Sequence, residues 1–186
     1  LSFGRDFVPV GFAAPPRTLD NVPVVYGGHA DDSSSMIPAE QAGGKVVVLG
    51  LSRRELAGRV GFERPQFSRA ALLVAVQLDL VAPELLARVR DGRPLTDTTR
   101  NPQRLQVVWV SRRAATQLLG ADPQTLKSGA MGRSVSGYVD VKRGPVAFPA
   151  RNVVAILRGS DPALRNQYVT LTAHNDHVGF DHAPVD

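Results

Sequence analysis

Cysteine is absent from this chain, so no disulfide speaks for either redox compartment. Lysine is nearly absent too: all but Lys45, Lys127 and Lys142 of the 22 basic residues are arginine. The bases come in pairs (Arg53-Arg54, Arg112-Arg113, Lys142-Arg143) and never in long blocks, and the net charge is only +5. Aromatics make up 6%, and the single tryptophan, Trp109, stands in an apolar strand rather than in a basic patch. Nucleic-acid binding wants a basic stripe interleaved with stacking rings. Its absence argues against nucleic acid and for a solvated arginine-rich surface. No apolar run reaches transmembrane length, and no signal-peptide pattern is visible, so any export signal is expected outside this sequence.

Familiar catalytic signatures are missing as well. There is no Gly-x-Ser-x-Gly elbow and no helical His-Glu-x-x-His. The stretch Gly43-Gly-Lys-Val-Val-Val-Leu-Gly50 invites a phosphate-loop reading, but Lys45 precedes the strand where a phosphate loop would follow it.

What is present reads as an ordinary globular chain, 43% hydrophobic and 21% charged. At 186 residues it is long enough to bury a good core. Strands are expected at Phe7–Phe12 and Val22–Tyr26, separated by the proline break Ala13-Ala-Pro-Pro-Arg17. Residues 27–44 read as a surface loop, with His29 beside Asp31, Asp32 and Ser33 to Ser35. A metal or triad role for His29 is one reading, and a polar turn with caps is the commoner one. The glycine-bounded run ending at Gly50 suits a buried strand. Arg64–Asp79 reads as a helical turn leading into a second buried strand, Leu72–Gln77. Pro83–Arg90 is a helix with proline in its first turn and Gly92 beyond it. Residues 91–104 are turn-rich. Leu105–Val110 is a strand, and Ser111 caps a helix over Arg112–Leu119 that Gly120 stops. A second capped helix is expected over Asp122–Lys127 and a strand over Val135–Val141. The alternation of elements predicts a mixed α/β (α+β) domain.

The most reactive residue types gather near the end, in Tyr168-Val-Thr-Leu-Thr-Ala-His-Asn-Asp-His-Val-Gly-Phe-Asp-His182. A β-prone run leads into His174, Asp176, His177, Asp181 and His182. Imidazole is the commonest metal ligand at neutral pH. A carboxylate two residues on can accept from its other ring nitrogen and fix its orientation. By spacing alone this supplies too few ligands for a zinc site, and a polar turn with exposed histidines is the commoner reading.

Together with Asn152-Val-Val-Ala-Ile-Leu-Arg-Gly-Ser-Asp-Pro-Ala-Leu, this segment resembles the opening of the catalytic domain of the di-zinc aminopeptidases of metallopeptidase family twenty-eight, relatives of glutamate carboxypeptidase. The resemblance implies that His174 is a zinc ligand and that Asp176 orients it. In the intact enzyme two zinc ions would activate water to remove an N-terminal residue from a peptide, with a glutamate as base. The family's bridging aspartate, Glu-Glu pair, further aspartate and second histidine all lie downstream, and only Asp181 and Asp186 follow here. The chain is therefore expected to be the N-terminal portion of such a peptidase, inactive alone. His177 is expected to be structural, and His182 is left open.

The preceding region resembles a protease-associated domain, of swivelling β/β/α fold, through Tyr26-Gly-Gly, Gly44-Lys-Val-Val-Val-Leu-Gly, Arg69-Ala-Ala-Leu-Leu-Val-Ala-Val and Val108-Trp-Val-Ser-Arg-Arg-Ala-Ala-Thr-Gln-Leu-Leu. Ala70-Ala71 replaces the usual Gly-Ala pair. The implied division is a protease-associated-like domain over 1–150 and, over 151–186, the N-terminal edge of an incomplete zinc peptidase domain contributing two strands, 152–158 and 168–174. The implied function is non-catalytic, shaping substrate access or protein interaction beside an extracytoplasmic exopeptidase that acts on peptides or proteins. The exposed strands predict either docking against the protease-associated domain or a strand-mediated dimer. Two alternatives stand beside it. One is a stand-alone metal-dependent hydrolase using the 174–182 cluster. The other is a ligand-binding α/β module unrelated to proteolysis, which would gain if the 152–182 strands belonged to the core of 1–150.

Overall fold

A computed structural model of the chain describes residues 1–10, 14–59, 65–90, 104–142 and 153–173. The chain divides into two compact units, Leu1–Arg143 and Gly144–Asp186.

The first unit is a mixed α/β domain around one six-stranded sheet of order β1-β5-β4-β3-β2-β6. Its strands are β1 (Phe7–Pro9), β2 (Arg17–His29), β3 (Val46–Gly50), β4 (Leu72–Val76), β5 (Val107–Val110) and β6 (Met131–Val139). Its helices are α1 (Ala39–Ala42), α2 (Pro83–Arg90) and α3 (Arg112–Leu119). The four central strands run parallel, while β1 and β6 close the two sides antiparallel. Parallel strands are covered on both faces and so read as continuous apolar runs. β3 is buried at all five positions. Its side chains alternate across the pleat. Val47 and Leu49 join Phe67, Leu73, Ala75 and Ile37 on one face. Val46 and Val48 join Tyr26, Leu72, Val74 and α3 on the other. Ala114, Ala115 and Leu119 are the buried contact of α3, the two alanines small enough to let the helix lie close on the sheet.

Local chemistry sets the ends of α3. The Ser111 hydroxyl accepts from the Ala114 amide at 3.1 Å, and Gly120 adopts φ 79° as the left-handed stop. The Arg112 amide donates to the Asp79 carboxylate at 2.6 Å. The chain's start is pinned to this helix through Asp6, a buried residue. Its carboxylate accepts from the Ser2 amide at 2.7 Å and pairs with the guanidinium of Arg113.

Several expectations are corrected. β2 runs from Arg17 to His29, so Gly27 and Gly28 lie inside a strand and not in a loop. Pairing with β3 carries it onward, as His29 opposes Gly50. A Cβ on Gly27 would lie 2.5 Å from the Val47 side chain, so only glycine lets the strands approach there. The register slips between Leu19 and Val22, where β2 pairs with β6. Asn21 sits there at φ 50°, a conformation asparagine tolerates. Asp122–Lys127 makes only a 3-10 turn, Pro123–Thr125, capped by the Asp122 side chain. The last strand starts at Met131 rather than Val135.

In the second unit the described residues, 153–173, contain no strand, which corrects the expectation of strands over 152–158 and 168–174 for that part of their span. The turn between the two apolar runs does form: Asp161 Oδ1 accepts from the Ala163 amide at 2.8 Å. The runs lack the rest. A strand needs a neighbour for its backbone donors and acceptors, and propensity alone does not supply one. Leu157 is 98% and Leu171 94% exposed. Among the described residues no helix is long and apolar enough to cross a membrane.

Candidate functional site

Open α/β sheets place ligands at the carboxyl ends of parallel strands. Here that edge carries His29 at the end of β2 and Gly50 at the end of β3. The Tyr26 hydroxyl and His29 Nε2 share a hydrogen bond of 3.3 Å, its direction set by the imidazole tautomer. Their rings meet edge to face at 6.1 Å. Gly50 makes room for this pair: a Cβ there would stand 3.1 Å from the Tyr26 hydroxyl and 3.4 Å from His29 Cδ2. Burial raises the Tyr26 pKa, and the Asp31 charge adds to it, so the phenol stays protonated.

Asp31 organises the other side of the edge. Its side chain is buried, and it accepts from the Ser52 amide at 2.8 Å, the Ser52 hydroxyl at 2.6 Å and the Arg53 amide at 3.1 Å. Burial alone would raise its pKa. The bonds from Ser52 and Arg53 outweigh burial and bring it to about 2. The turn that follows is self-contained. Asp32 accepts from the Ser34 amide at 3.0 Å and the Ser34 hydroxyl at 2.7 Å, which hold its pKa below the ordinary value. Ser35 donates to the Asp32 carbonyl at 2.8 Å and accepts from the His29 amide at 2.9 Å.

These bonds decide against a triad at His29. The hydroxyls of Ser34 and Ser35 serve Asp32 and the backbone, and the imidazole faces a protonated phenol. No general base addresses a nucleophile in this cluster. The edge is a pinned corner in which His29 gives a buried tyrosine its partner. Of its members, the sequence drew attention to His29, Asp31, Asp32 and the serines. Tyr26, Gly50 and Ser52 were missed, because only the parallel register of β2 with β3 brings them together.

His174, Asp176, His177, Asp181 and His182 lie outside the described residues. Among the described residues, no group of three His, Cys, Asp or Glu side chains could hold a metal ion. Comparison with family models, with curated proteins and with solved structures gives no match to this chain.

The depressed carboxylates have a consequence in acid. Asp6 is held well below the ordinary range by the Ser2 amide and by Arg113 and Arg5, with burial opposing. Asp31 is brought from 3.8 to about 2. A carboxylate whose folded pKa is depressed stabilises the fold above its unfolded pKa, and that contribution is lost as pH falls through the folded value. Thermal melts are therefore expected to be nearly flat from neutrality to pH about 4 and to drop between about 4 and about 2. Asp31→Asn should start lower and fall less across that window. A variant with the wild-type slope would show that Asp31 is not the titrating group.

Proposed function

We propose that residues 1–150 are a non-catalytic protease-associated-like module, of the swivelling β/β/α type, from a secreted-type zinc aminopeptidase. It shapes substrate access or binds protein partners, and residues 151–186 are the N-terminal edge of the peptidase domain it accompanies. The reading rests on the motif order in the sequence. One structural observation supports it: the first unit closes its core with its own residues, while the described part of the second leaves every large apolar side chain uncovered. A closed domain followed by apolar segments left uncovered would look like this. The alternative of a ligand-binding module unrelated to proteolysis would gain if the 152–182 strands belonged to the first core, and the exposure of the described residues there, 153–173, does not add that support.

The parent reaction on this reading is metal-dependent peptide hydrolysis in an extracytoplasmic compartment. The described residues do not fit a zinc site, and His174 with the orienting Asp176 would be one ligand of a set that needs at least three. No catalytic step is assigned to this chain.

The test is calorimetric zinc titration of this chain beside His174→Ala, with aminopeptidase activity assayed on the same samples. Weak or absent binding and no turnover are expected of both. Tight stoichiometric binding lost in His174→Ala, with turnover in the wild type, would make the 174–182 cluster a compact metalloenzyme instead.

A further inference from the structure

We propose that β6 is a self-association edge, along which two copies of this chain pair β6 against β6 across a two-fold axis to continue one sheet through both. The two sides of the sheet differ in how they treat their unpaired backbone. Natural edges are blunted by shortness, proline, charge or cover. β1 is three residues long, includes Pro9 and is bridged by Phe3. β6 is nine residues long, has no proline, carries one charged side chain, Arg133, and confines its bulge to one end, between Met131 and Ser134. Among the described residues it pairs with β2 alone. Met131, 56% exposed, and Tyr138, 65% exposed, stand near its two ends.

The strand is also complementary to itself. A dyad at its midpoint, Val135, lets the regular part of the strand pair antiparallel, with the β6 bulge between Met131 and Ser134 interrupting the ladder at each end. Val135 then faces its own copy, and Ser134 faces the partner's Ser136. Arg133 faces the partner's Gly137 and so meets no like charge. Small side chains at 134, 136 and 137 let the backbones approach.

Gly137 supplies a test whose sign is fixed in advance. A Cβ there meets nothing within 4 Å, and its φ is not positive, so the monomer accepts a side chain. Gly137→Asp would place a carboxylate opposite the partner's Arg133 at both ends of the dyad, and Gly137→Arg would place a like charge there. Sedimentation velocity of the full chain across the micromolar range is expected to show a reversible dimer. Gly137→Asp should tighten it and Gly137→Arg loosen it, the two differing by about tenfold at low salt and converging at high salt. Val154→Pro, in the exposed run of the second unit, should leave the dimer unchanged. A wild type that stays monomeric would overturn the proposal. So would two Gly137 variants with equal dissociation constants, or a dimer abolished by Val154→Pro, which would move the interface to the second unit.

Discussion

Phe67→Ala is expected to lower the unfolding free energy by about 3–5 kcal/mol, while Leu157→Ser leaves it within about 0.5 kcal/mol. The two side chains are comparably apolar, and their surroundings are opposite. Phe67 is 0% exposed and packs among Val47, Leu73 and Ile37 under the sheet, so truncation leaves a cavity that the strands cannot collapse into. Leu157 is 98% exposed and has no apolar burial to lose. Domains of this size hold only about 5–15 kcal/mol in total, so the first change removes a large share. Urea unfolding followed by the fluorescence of Trp109, which packs against the same cluster, reads both variants. A Leu157→Ser loss as large as that of Phe67→Ala would mean that the second unit is part of the first core, and would remove the main structural support for the proposed function.

The second large effect falls on a single backbone position. Gly28→Ala is expected to cost about 3 kcal/mol or more. Gly28 has φ +95°, and a Cβ would stand 2.3 Å from the Ser35 carbonyl oxygen. Backbone cannot rotate away as a flexible side chain can, so the Ser33–Ser35 turn must move. With it would go the bond from the His29 amide to Ser35, and the order of the Tyr26–His29 corner. Gly120→Ala is the matched control. It shares a positive φ of +79° but opens onto empty space, so it should cost only about 1 kcal/mol. Denaturation midpoints for the pair separate collision from conformational preference. Equal losses would mean that φ alone, not the approach of Ser35, makes Gly28 necessary.

How much of the molecule was legible beforehand depended on how local its causes are. α3 was readable from end to end because Ser111, the apolar pair Ala114-Ala115 and Gly120 act within a few residues. α2 was readable from Pro83 and the leucines behind it. β3 and β4 announced themselves because strands covered on both faces carry apolar runs without interruption. The continuation of β2 through Gly27 and Gly28 was not readable. Two glycines ordinarily mark a loop, and only the closeness of Val47 and Leu49 to Gly27, and of the Ser35 backbone to Gly28, makes them necessary within a strand. The segment 153–173 failed in the opposite direction: its residues prefer strands, but strand formation needs a partner, which propensity does not provide.

The candidate site divides the same way. Composition and spacing alone determined that the chain is a mixed α/β protein without cysteine chemistry, and that three of its four histidines gather at 174–182. Tertiary structure alone decided that Asp31 is buried under Ser52 and Arg53, that His29 serves Tyr26 instead of a serine, and that β6 pairs only with β2 among the described residues. Each of these depends on which distant strands lie side by side. Local sequence sets where helices cap and strands are apolar. The register between strands sets which polar groups meet, and it emerges only when the whole sheet closes its core.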